Sequence, residues 1–392
     1  MKKLLILGAG IYQVPLIVTA RKMGIYTIVA SIPGKYPGFP LADKVYYENT
    51  TDFEKILEIA KSENIDGIVT AGTDVAVITI GRVCDTLGLT GLSYDAAQIA
   101  TDKYRMKEQY EKFGVRTAKY RKIATEDADY AGKLTGLQLP LMFKSVDSSG
   151  SRGIVKVNSP DEFEAARANV LDNTRADHFI VEEYIDGEEF GAQAFVKDGK
   201  IQFILPHGDF VFKGDTGVPV GHFAPYDLPQ KVLDDTDLQL TRAIEAMGLD
   251  NCAINADFIL SNDEVYVLEI GGRSGATCLA ELVSIYYDYD YYEKIIRTAL
   301  GEDVTFESDK AVPNVSKLLM SDRDGVIVSQ TDCNAPDPDI VDIQFDYQPG
   351  DEVHAFRIGP HRIGHVITKG KTLEEANALL DRALNHIEIV VE

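Results

Sequence analysis

Apolar strands and amphipathic helices alternate over the first ninety residues. The run KLLILGA predicts a buried strand, PLIVTARKMG a helix, YTIVAS a strand, TDFEKILEIAKSEN a capped helix and IDGIVTAG a strand. Thr73 and Asp74 are candidates to cap the next helix, VAVITIGRVCDTLG, which should end near Gly88. Strands that alternate with helices build a parallel sheet, so we expect an α/β domain over residues 1–94.

The rest of the chain mixes helices and strands less regularly, which predicts α+β structure. SYDAAQIATDKYRMKEQYEKFGV reads as a helix that stops at Gly114, short strands and one amphipathic stretch follow, and a strand hairpin precedes a tyrosine-rich helix. The turns APDPD and YQPGDEV, with a final helix and strand, predict a small α/β domain over 301–392. Residues 95–300 then form the middle domain.

A glycine turn after the first strand could indicate a dinucleotide site. Gly8 and Gly10 match the start of the G-x-G-x-x-G pattern, but Gln13 stands where its third glycine is needed. The second strand also ends without the acidic residue that would hold a ribose. We therefore expect a tight turn that faces a substrate, with no NAD.

Composition narrows the possible partners. The chain has 392 residues, 45% of them apolar, and 39 Lys+Arg against 62 Asp+Glu give a net charge of −23. Such a surface repels nucleic acid and anionic membranes, and no apolar run of eighteen residues predicts a membrane span. The four cysteines have no C-x-x-C spacing, which is typical of free thiols in a reducing cytoplasm. We expect a soluble cytoplasmic protein that acts on small molecules.

A lysine stands beside a loop of small residues in FKSVDSSGSRGIVKV. Lys144 ends the strand LPLMFK, so its ammonium should point from a rigid element towards the loop. Backbone N–H groups of a loop without bulky side chains can close over an anion such as a phosphate. By itself the loop could equally be a plain hairpin turn.

An acidic segment, VEEYIDGEEF, follows the next strand. An adenine can pair with exposed backbone at such a strand-to-loop transition, while a carboxylate accepts hydrogen bonds from ribose hydroxyls. The alternative is a solvated acidic hairpin. The candidates are Glu182, Glu183, Glu188 and Glu189.

Two carboxylates are predicted to meet on a hairpin. Asp257 and Glu269 lie on apolar strands joined by the turn SNDE, which brings them side by side on one face. Such carboxylates repel each other unless a cation lies between them, and Mg²⁺ with ATP oxygens fits that place. Arg273 could neutralise a phosphoryl group or an acyl phosphate, and a structural ion pair is its alternative role.

These segments, with Lys103 in TDKYRMKEQYEKFGV and the run LEIGGRSG, resemble the ATP-grasp superfamily. The resemblance covers about residues 1–300 and is shared with biotin carboxylase, carbamoyl-phosphate synthase, purine carboxylate ligases and amino-acid and dipeptide ligases. It implies an N-terminal domain before the ATP-grasp fold and a mobile lid over about 118–187 that closes on ATP. The version EIGGRSG, with an appended C-terminal domain, is more similar to the amino-acid and dipeptide ligases.

The resemblance also implies roles for single residues. The backbone of Glu183 and Ile185 would contact adenine with Glu182 near its amino group, Glu189 would hold the ribose in preference to Glu188, and Asp257 and Glu269 would bind one or two Mg²⁺, with Mn²⁺ as a substitute. Arg273 and Lys144 would be catalytic. The phosphate contacts would come from Lys103, Lys144, Ser148, Ser149, Gly150, Ser151 and Gly153. The family's third metal ligand is usually an Asn, and here that position is Gly271, which puts two-metal binding in doubt.

The reaction implied is ADP-forming ligation of a small carboxylate to an amine through an acyl phosphate. The alternatives are a purine-pathway ribonucleotide ligase or carboxylase, for which the loop GAGIYQVP offers no basic residue to hold a phosphate, and a non-catalytic ATP-binding or scaffold protein. A homodimer is the default assembly. The candidate substrate residues are His222, for which packing is the alternative, and Gly271, Gly272, Ser274, Gly275, Thr73 and Asp74.

Overall fold

A computed structural model describes residues 1–148, 150, 152–212 and 218–392. Within these ranges, no helix combines the length and the apolar character needed to cross a bilayer. Ser149 and Ser151, predicted to contact phosphate, lie outside the described residues.

The N-terminal part is the predicted parallel sheet with helices. Its strands are β1 Lys3–Leu7, β2 Tyr26–Ser31, β3 Lys44–Tyr47 and β4 Gly67–Val69, and its helices are α1 Val14–Lys22, α2 Phe53–Glu63 and α3 Val77–Leu87. The strand order is β3-β2-β1-β4, and all pairs are parallel. Strand β3 was missed because it is short and has no fully buried residue. The capping prediction was wrong, since Ala76 holds the N-cap position of α3 and makes no side-chain cap.

The helix predicted up to Gly114 is in fact two helices. They are α4 Tyr94–Ala100 and α5 Lys103–Phe113. Asp102 leaves the helical conformation and its carboxylate accepts hydrogen bonds from the backbone N–H groups of Tyr104 and Arg105. This capping begins a new helix in which Lys103 is the first residue. Gly114 ends α5 with φ +67°, as predicted.

A small antiparallel sheet lies within the range predicted for the lid. Its strands are β5 Tyr120–Ala124, β6 Leu141–Ser145, β7 Ile154–Val157 and β8 His178–Glu183, in the order β5-β8-β6-β7, with helices α6 Tyr130–Lys133 and α7 Phe163–Asn173. Phe143, Phe179 and Val170 are fully buried between this sheet and its helices. The unit therefore has a hydrophobic core of its own.

The central sheet continues from the middle of the chain into its C-terminal part. Its strands are β9 Glu188–Lys197, β10 Lys200–Val211, β11 Pro219–Ala224, β12 Cys252–Ser261, β13 Glu264–Gly271, β14 Asn314–Met320, β16 Ile340–Phe345 and β18 Arg362–Lys369, and helix α8 is Gln230–Met247. The described strands are ordered β13-β12-β9-β10-β11-β14-β18-β16. Because β11 pairs with β14, C-terminal strands extend the sheet that carries the predicted metal hairpin.

The two faces of strands β9 and β12 differ in chemistry. Phe190 and Phe258 stack at 5.1 Å between ring centroids on the face that joins the core with α5 and α8. Successive residues of a strand point to opposite faces, so Gly191 and Asp257 lie on the other face. This second face, called the site face below, carries the polar residues of the candidate site.

Two tyrosine-bearing helices connect the N-terminal sheet to the central sheet. They are α9 Leu279–Tyr287 and α10 Tyr291–Ala299, so the predicted tyrosine-rich helix is interrupted. Tyr291 is fully buried and donates its hydroxyl to the carbonyl of Ala194 at 3.2 Å. A Cβ on Gly67 would lie 2.4 Å from the Ala299 carbonyl oxygen, which shows how closely β4 approaches α10. The tyrosines thus serve packing, as expected.

The remaining C-terminal elements pack against the extended sheet. They are β15 Gly325–Asp332, β17 Glu352–Val353, β19 Ile387–Val391 and α11 Leu373–Asn385, which Thr372 caps. In the described part of the chain, these strands form a small separate sheet in the order β17-β15-β19. The arrangement brings β16 and β18 next to the loops that follow β1 and β13.

Candidate active site

Asp257 and Glu269 face each other on the hairpin of β12 and β13. They are direct cross-strand partners, which confirms the predicted pairing. Asn262 and Asp263 form the turn with φ +51° and +61°, a conformation that Asn and Asp tolerate better than most residues. The Asp257 side chain is exposed and that of Glu269 is partly exposed. Both carboxylates therefore open towards solvent on the site face.

The surroundings of Asp257 disfavour a second negative charge. The protein atoms packed around this carboxyl, and then the charges of Glu269 and Asp209, raise the pKa of Asp257 to about 7, while Arg273 acts in the opposite direction. The side chain itself still reaches solvent. A divalent cation would offset the repulsion, and a set of carboxylate oxygens is the kind of ligand that Mg²⁺ prefers.

Lys103 joins the carboxylate hairpin to the loop after β6. Its ammonium lies 2.9 Å from Glu269 Oε1 and 2.8 Å from the carbonyl oxygen of Ser148. The side chain is only 8% exposed, so the contact is held in a defined position. This places a positive charge between the predicted metal ligands and the predicted phosphate loop.

Lys144 contacts a buried glutamate, and a lysine missed from the sequence shares that contact. Glu182 lies between Lys144 and Lys107, whose ammonium is 2.7 Å from Glu182 Oε2. Burial raises the pKa of Glu182, but the two lysines outweigh this effect and lower it to about 2. Lys107 could have been found because it lies four residues after Lys103 and hence on the same helix face. The buried carboxylate of Glu182, which Lys107 also contacts, therefore fixes the position of the Lys144 ammonium.

The loop after β6 is anchored at both ends. Ser148 donates its hydroxyl to the carbonyl of Asn173. Gly153 has φ +64°, and a Cβ there would lie 2.6 Å from Ser145 Oγ. Gly150 also has a positive φ, but a Cβ at this residue would meet no other atom within 4 Å, so its backbone is open. The backbone of Gly150 can thus be presented to an anion without a side chain of its own in the way.

In and after β8, the structure distinguishes between the residues predicted to contact adenine and between those predicted to hold the ribose. The N–H of Glu183 donates to the Lys119 carbonyl, whereas Ile185 forms no hydrogen bond with another described residue. Ile185 is thus the better placed of the two to pair with a base. Glu189 lies opposite Ile259 on the site face, while Glu188 accepts the hydroxyl of Tyr226 on the core face.

Arg273 forms the ion pair that was weighed as its structural role. Its Nη2 lies 2.8 Å from Asp74 Oδ2, so the loop after β4 and the loop after β13 are joined. Burial lowers the pKa of Arg273, but Asp74 outweighs this effect and the pKa is raised. A Cβ on Gly271 would lie 3.1 Å from Asp74 Oδ1 and 3.4 Å from Arg273 Cζ. Gly271 therefore makes room for this pair, and Thr73 lies on the same loop.

Gln193 connects the loop after β13 to the site face. Its Oε1 accepts the N–H of Gly275 at 3.0 Å and its Nε2 donates to Asn255 Oδ1 at 2.7 Å. Ser274 is buried, and its Oγ has no hydrogen-bond partner among the described residues. A Cβ on Gly272 would lie 3.1 Å from Leu92 and 3.3 Å from Leu249, so that side of the residue faces the core.

Two histidines and an aspartate form a cluster on β10 and β11. Asp209 Oδ1 accepts hydrogen bonds from His207 Nδ1 at 3.0 Å and from His222 Nδ1 at 2.6 Å. Both rings are buried, and the pKa of His222 is lowered by burial. His222 is therefore packed inside the protein, which was the alternative to a substrate role, and it also makes a polar contact with Asp209. Asp209 was missed, although the spacing His207-x-Asp209 puts both on one face of a strand.

His207 occupies the space above Gly191, and this leads to a test by substitution. A Cβ on residue 191 would lie 2.3 Å from His207 Cε1. We expect Gly191→Ala to lower the free energy of unfolding by about 1–3 kcal/mol, because the buried ring must move. Denaturant unfolding checks this, with His207→Ala as the second background. An equal cost of Gly191→Ala in both backgrounds would contradict the contact.

A cavity of about 300 Å³ lies where the loop after β1, the turn before α9 and the strands β16 and β18 meet. Tyr12, Cys278, Arg362 and His365 are among its lining residues. Thr277 and Cys278 both have positive φ, a strained conformation for residues with a side chain. Gln13 stabilises the turn after β1, because its Oε1 accepts a hydrogen bond from the Gly10 N–H at 2.9 Å.

Two of the cations that line the cavity, Arg362 and His365, are already neutralised. Arg362 forms a buried two-point ion pair with Asp346, with N–O distances of 2.6 and 3.1 Å. Burial lowers the pKa of His365, but Cys278 and Asp342 outweigh it and raise the pKa to about 10. Glu281 also lines the cavity. A neutral or positively charged ligand suits this lining better than a phosphate.

Comparisons with known proteins agree with this architecture. The family model for the ATP-grasp domain matches residues 137–281, and the model for the L-amino acid ligase C-terminal domain 2 matches residues 317–392. The crystal structure of phosphoribosylglycinamide synthetase from Anaerococcus prevotii is 35% identical, covers 100% of both chains and has a TM-score of 0.86.

Two curated relatives are more distant. Alanine–anticapsin ligase from Bacillus subtilis (strain 168) is 23% identical over 64% of this chain and 62% of its own length. The formate-dependent phosphoribosylglycinamide formyltransferase from Methanocella arvoryzae is 22% identical over 99% of this chain and 92% of its own length.

The fold, the carboxylate pair and the lysines define a nucleotide-using ligase. The chain belongs to the ATP-grasp family. It is an enzyme that forms a carbon–nitrogen bond, and ATP and magnesium ions are what this family uses.

Proposed function

We propose that the protein joins a small carboxylate, such as an amino acid, to an amine and releases ADP. The observation that supports this most is a convergence of charges from distant parts of the chain. Asp257 and Glu269 suit a divalent cation, Lys103 contacts Glu269, and Lys144 is held by Glu182. Transfer of a phosphoryl group needs these components, namely metal ligands and fixed positive charges.

In the proposed reaction, the substrate carboxylate attacks the γ-phosphorus of ATP, the bond to the β–γ bridging oxygen breaks, and ADP leaves. The amine then attacks the acyl carbon, phosphate leaves, and the amine gives up a proton. Lys103 and Lys144 would bind phosphate oxygens, and Arg273 would stabilise the acyl phosphate. Asp257 and Glu269 would hold one or two Mg²⁺, or Mn²⁺, which neutralise charge on the phosphates.

The cavity lined by Tyr12 and His365 is our proposed place for the amine. It adjoins the loop that contains Gly275, whose N–H is bound by Gln193 of the site face. Of its acidic residues, Asp342 is paired with His365, and Glu281 favours a positively charged or neutral amine over an anion. This supports a free amine as the acceptor.

A ribonucleotide ligase is the second candidate, and the 35% identity to phosphoribosylglycinamide synthetase favours it. Its amine would carry a phosphate, which needs an available cation. Arg362 is bound to Asp346, whereas Lys22 lines the cavity from α1 and forms no salt bridge with another described residue. Lys22 is therefore the residue on which this candidate depends.

The test is nucleotide release from Mg·ATP, resolved into ADP and AMP by chromatography. Pools of amino acids, small carboxylates and bicarbonate are supplied with amines, and aminoimidazole ribonucleotide is supplied with bicarbonate. We expect ADP with an amino-acid pool, and loss of that ADP with Glu269→Ala. AMP would contradict the acyl-phosphate reaction, and ADP only with a ribonucleotide would favour the second candidate. ATP binding without turnover in every pool would favour a non-catalytic role.

A further inference from the structure

Asp209 presents one carboxylate oxygen to the site face. Its Oδ1 accepts both histidine N–H groups, and its Oδ2 has no hydrogen-bond partner among the described residues. The side chain is 18% exposed, whereas the side chains of His207 and His222 are 2% and 3% exposed. The two buried rings therefore hold a carboxylate whose second oxygen remains available.

This carboxylate lies on the same face as the predicted metal ligands. Asp257 is the cross-strand partner of Gly191, and Gly191 is the partner of His207. The neighbouring strands are about 4.8 Å apart, which separates the backbones of Asp257 and His207 by about 10 Å. Gly191 has no side chain to fill this interval, and the His207 ring leans into it. Asp209 follows two residues later on the same face of β10.

Asp209 is held in its charged form. Burial would raise the pKa of this carboxyl, but His222 and His207 outweigh burial and keep the pKa well below its usual value. A third fixed negative charge is unfavourable in a site that must also take a triphosphate. Lys103, Lys144 and Arg273 are already paired with Glu269, Glu182 and Asp74. The negative charge of Asp209 would therefore be neutralised by a positively charged group of the substrate.

We propose that Asp209 binds the α-ammonium group of an amino acid whose carboxylate is the group activated at Asp257 and Glu269. This inference rests on the proposed ligase function and narrows its acid substrate. In an α-amino acid one carbon separates the two groups, so one molecule can bridge between neighbouring parts of the site face. Acids without an ammonium group, such as formate or bicarbonate, would leave Asp209 Oδ2 without a partner.

The contacts favour an ammonium site over a metal site made by the three residues. Both histidines direct Nδ1 at the same carboxylate oxygen, so each Nδ1 serves as a donor. A metal ion bound directly between Asp209 Oδ1 and the two Nδ1 atoms would require lone pairs that these N–H groups do not offer. His207 Nε2 also lies 3.4 Å from the amide nitrogen of Gln193, which can donate to it. His207 and His222 are therefore positioning residues for Asp209.

The experiment compares amino acids with their analogues that lack the amino group. The pairs are glycine with acetate, L-alanine with propionate, L-leucine with 4-methylpentanoate and L-glutamate with glutarate. Hydroxylamine replaces the unknown amine, attacks the acyl phosphate and gives a hydroxamate and phosphate. The proteins are the wild type, Asp209→Asn, Asp209→Glu and the control Asp198→Asn. Asp198 is 71% exposed in the turn between β9 and β10 and has φ +51°, which Asn also tolerates.

We expect the wild type to prefer at least one amino acid over its analogue by about 100-fold or more in kcat/KM. Asp209→Asn should remove most of this preference, by raising KM for the amino acid and leaving the analogue unchanged. Asp209→Glu should restore part of it, and Asp198→Asn should match the wild type. Binding of a non-hydrolysable ATP analogue should stay the same in all four proteins, which separates the effect from misfolding.

Some results would overturn the inference while leaving the ligase function intact. They are an equal loss for both members of a pair in Asp209→Asn, a wild-type preference for the acids without an amino group, and recovery of Asp209→Asn by raised Mg²⁺, which would make Asp209 a metal ligand. Stoichiometric zinc in the purified wild type that is lost in Asp209→Asn would also overturn it. If the wild type releases no ADP with any acid, the proposed function itself fails.

Discussion

Asp257→Asn is expected to lower ADP release by about 100–1,000-fold, which is the usual cost of removing one group that stabilises transition-state charge. The change keeps the size of the side chain but removes the charge that a cation needs. Glu269, its cross-strand partner, would then have to hold the metal alone while also paired with Lys103. Steady-state rates over a range of Mg²⁺ concentrations would check this, with a higher Mg²⁺ requirement as the second sign.

The same hairpin offers a matched control in Asp263→Asn. Asp263 is 76% exposed in the turn and has φ +61°, which Asn tolerates as well as Asp. This variant should keep wild-type turnover and the wild-type Mg²⁺ requirement. Full activity in Asp257→Asn would contradict the metal assignment, and equal losses in both variants would point to damage to the hairpin.

Glu182→Ala is expected to lower the free energy of unfolding by about 3–5 kcal/mol at pH 7, because it leaves the ammonium groups of Lys107 and Lys144 buried without their partner. Lys107 is 1% exposed, so water cannot replace the lost carboxylate. Denaturant unfolding followed by circular dichroism would measure the effect. Glu58→Ala is the control, because Glu58 is 74% exposed beside Lys55 and its loss should have little effect.

The effect of Glu182 should also depend on pH in a defined direction. Its pKa is about 2 in the folded protein, below the value of about 4.3 for an unfolded chain. The stabilisation is therefore fully present above about pH 5 and is lost as the pH falls from about 4 towards 2. The difference between wild type and Glu182→Gln should shrink over that interval. A difference that stays constant from pH 7 to pH 3 would contradict this origin.

Much of the predicted site depended only on local pattern and hairpin pairing. The cross-strand contact of Asp257 and Glu269 follows from two apolar strands and one turn, both visible in the sequence. Lys103 and Lys144 could be selected by their positions at the start of a helix and the end of a strand. The resemblance to the ATP-grasp superfamily rested on these same residues, and the comparisons confirmed it.

Other features of the site could not be predicted from local sequence pattern and hairpin pairing. Arg273 could be assigned to a phosphoryl group or to an ion pair, and only the fold supplied Asp74, 199 residues away. Lys107 and Asp209 were missed because Glu182, which pairs with Lys107, and His222, which pairs with Asp209, lie on separate elements. The break before Lys103 was missed because the helical pattern continues across it, and only the capping by Asp102 reveals it.

The sequence by itself determined the alternation of strands and helices, the paired carboxylates and the family, because these depend on residues that are close along the chain or joined by one turn. The tertiary structure decided which charge neutralises which: Glu182 with two lysines, Arg362 with Asp346, and Asp209 with two histidines. Such pairs depend on how separate elements pack, and burial makes each unpaired charge costly, so the packing and the pairing are fixed together.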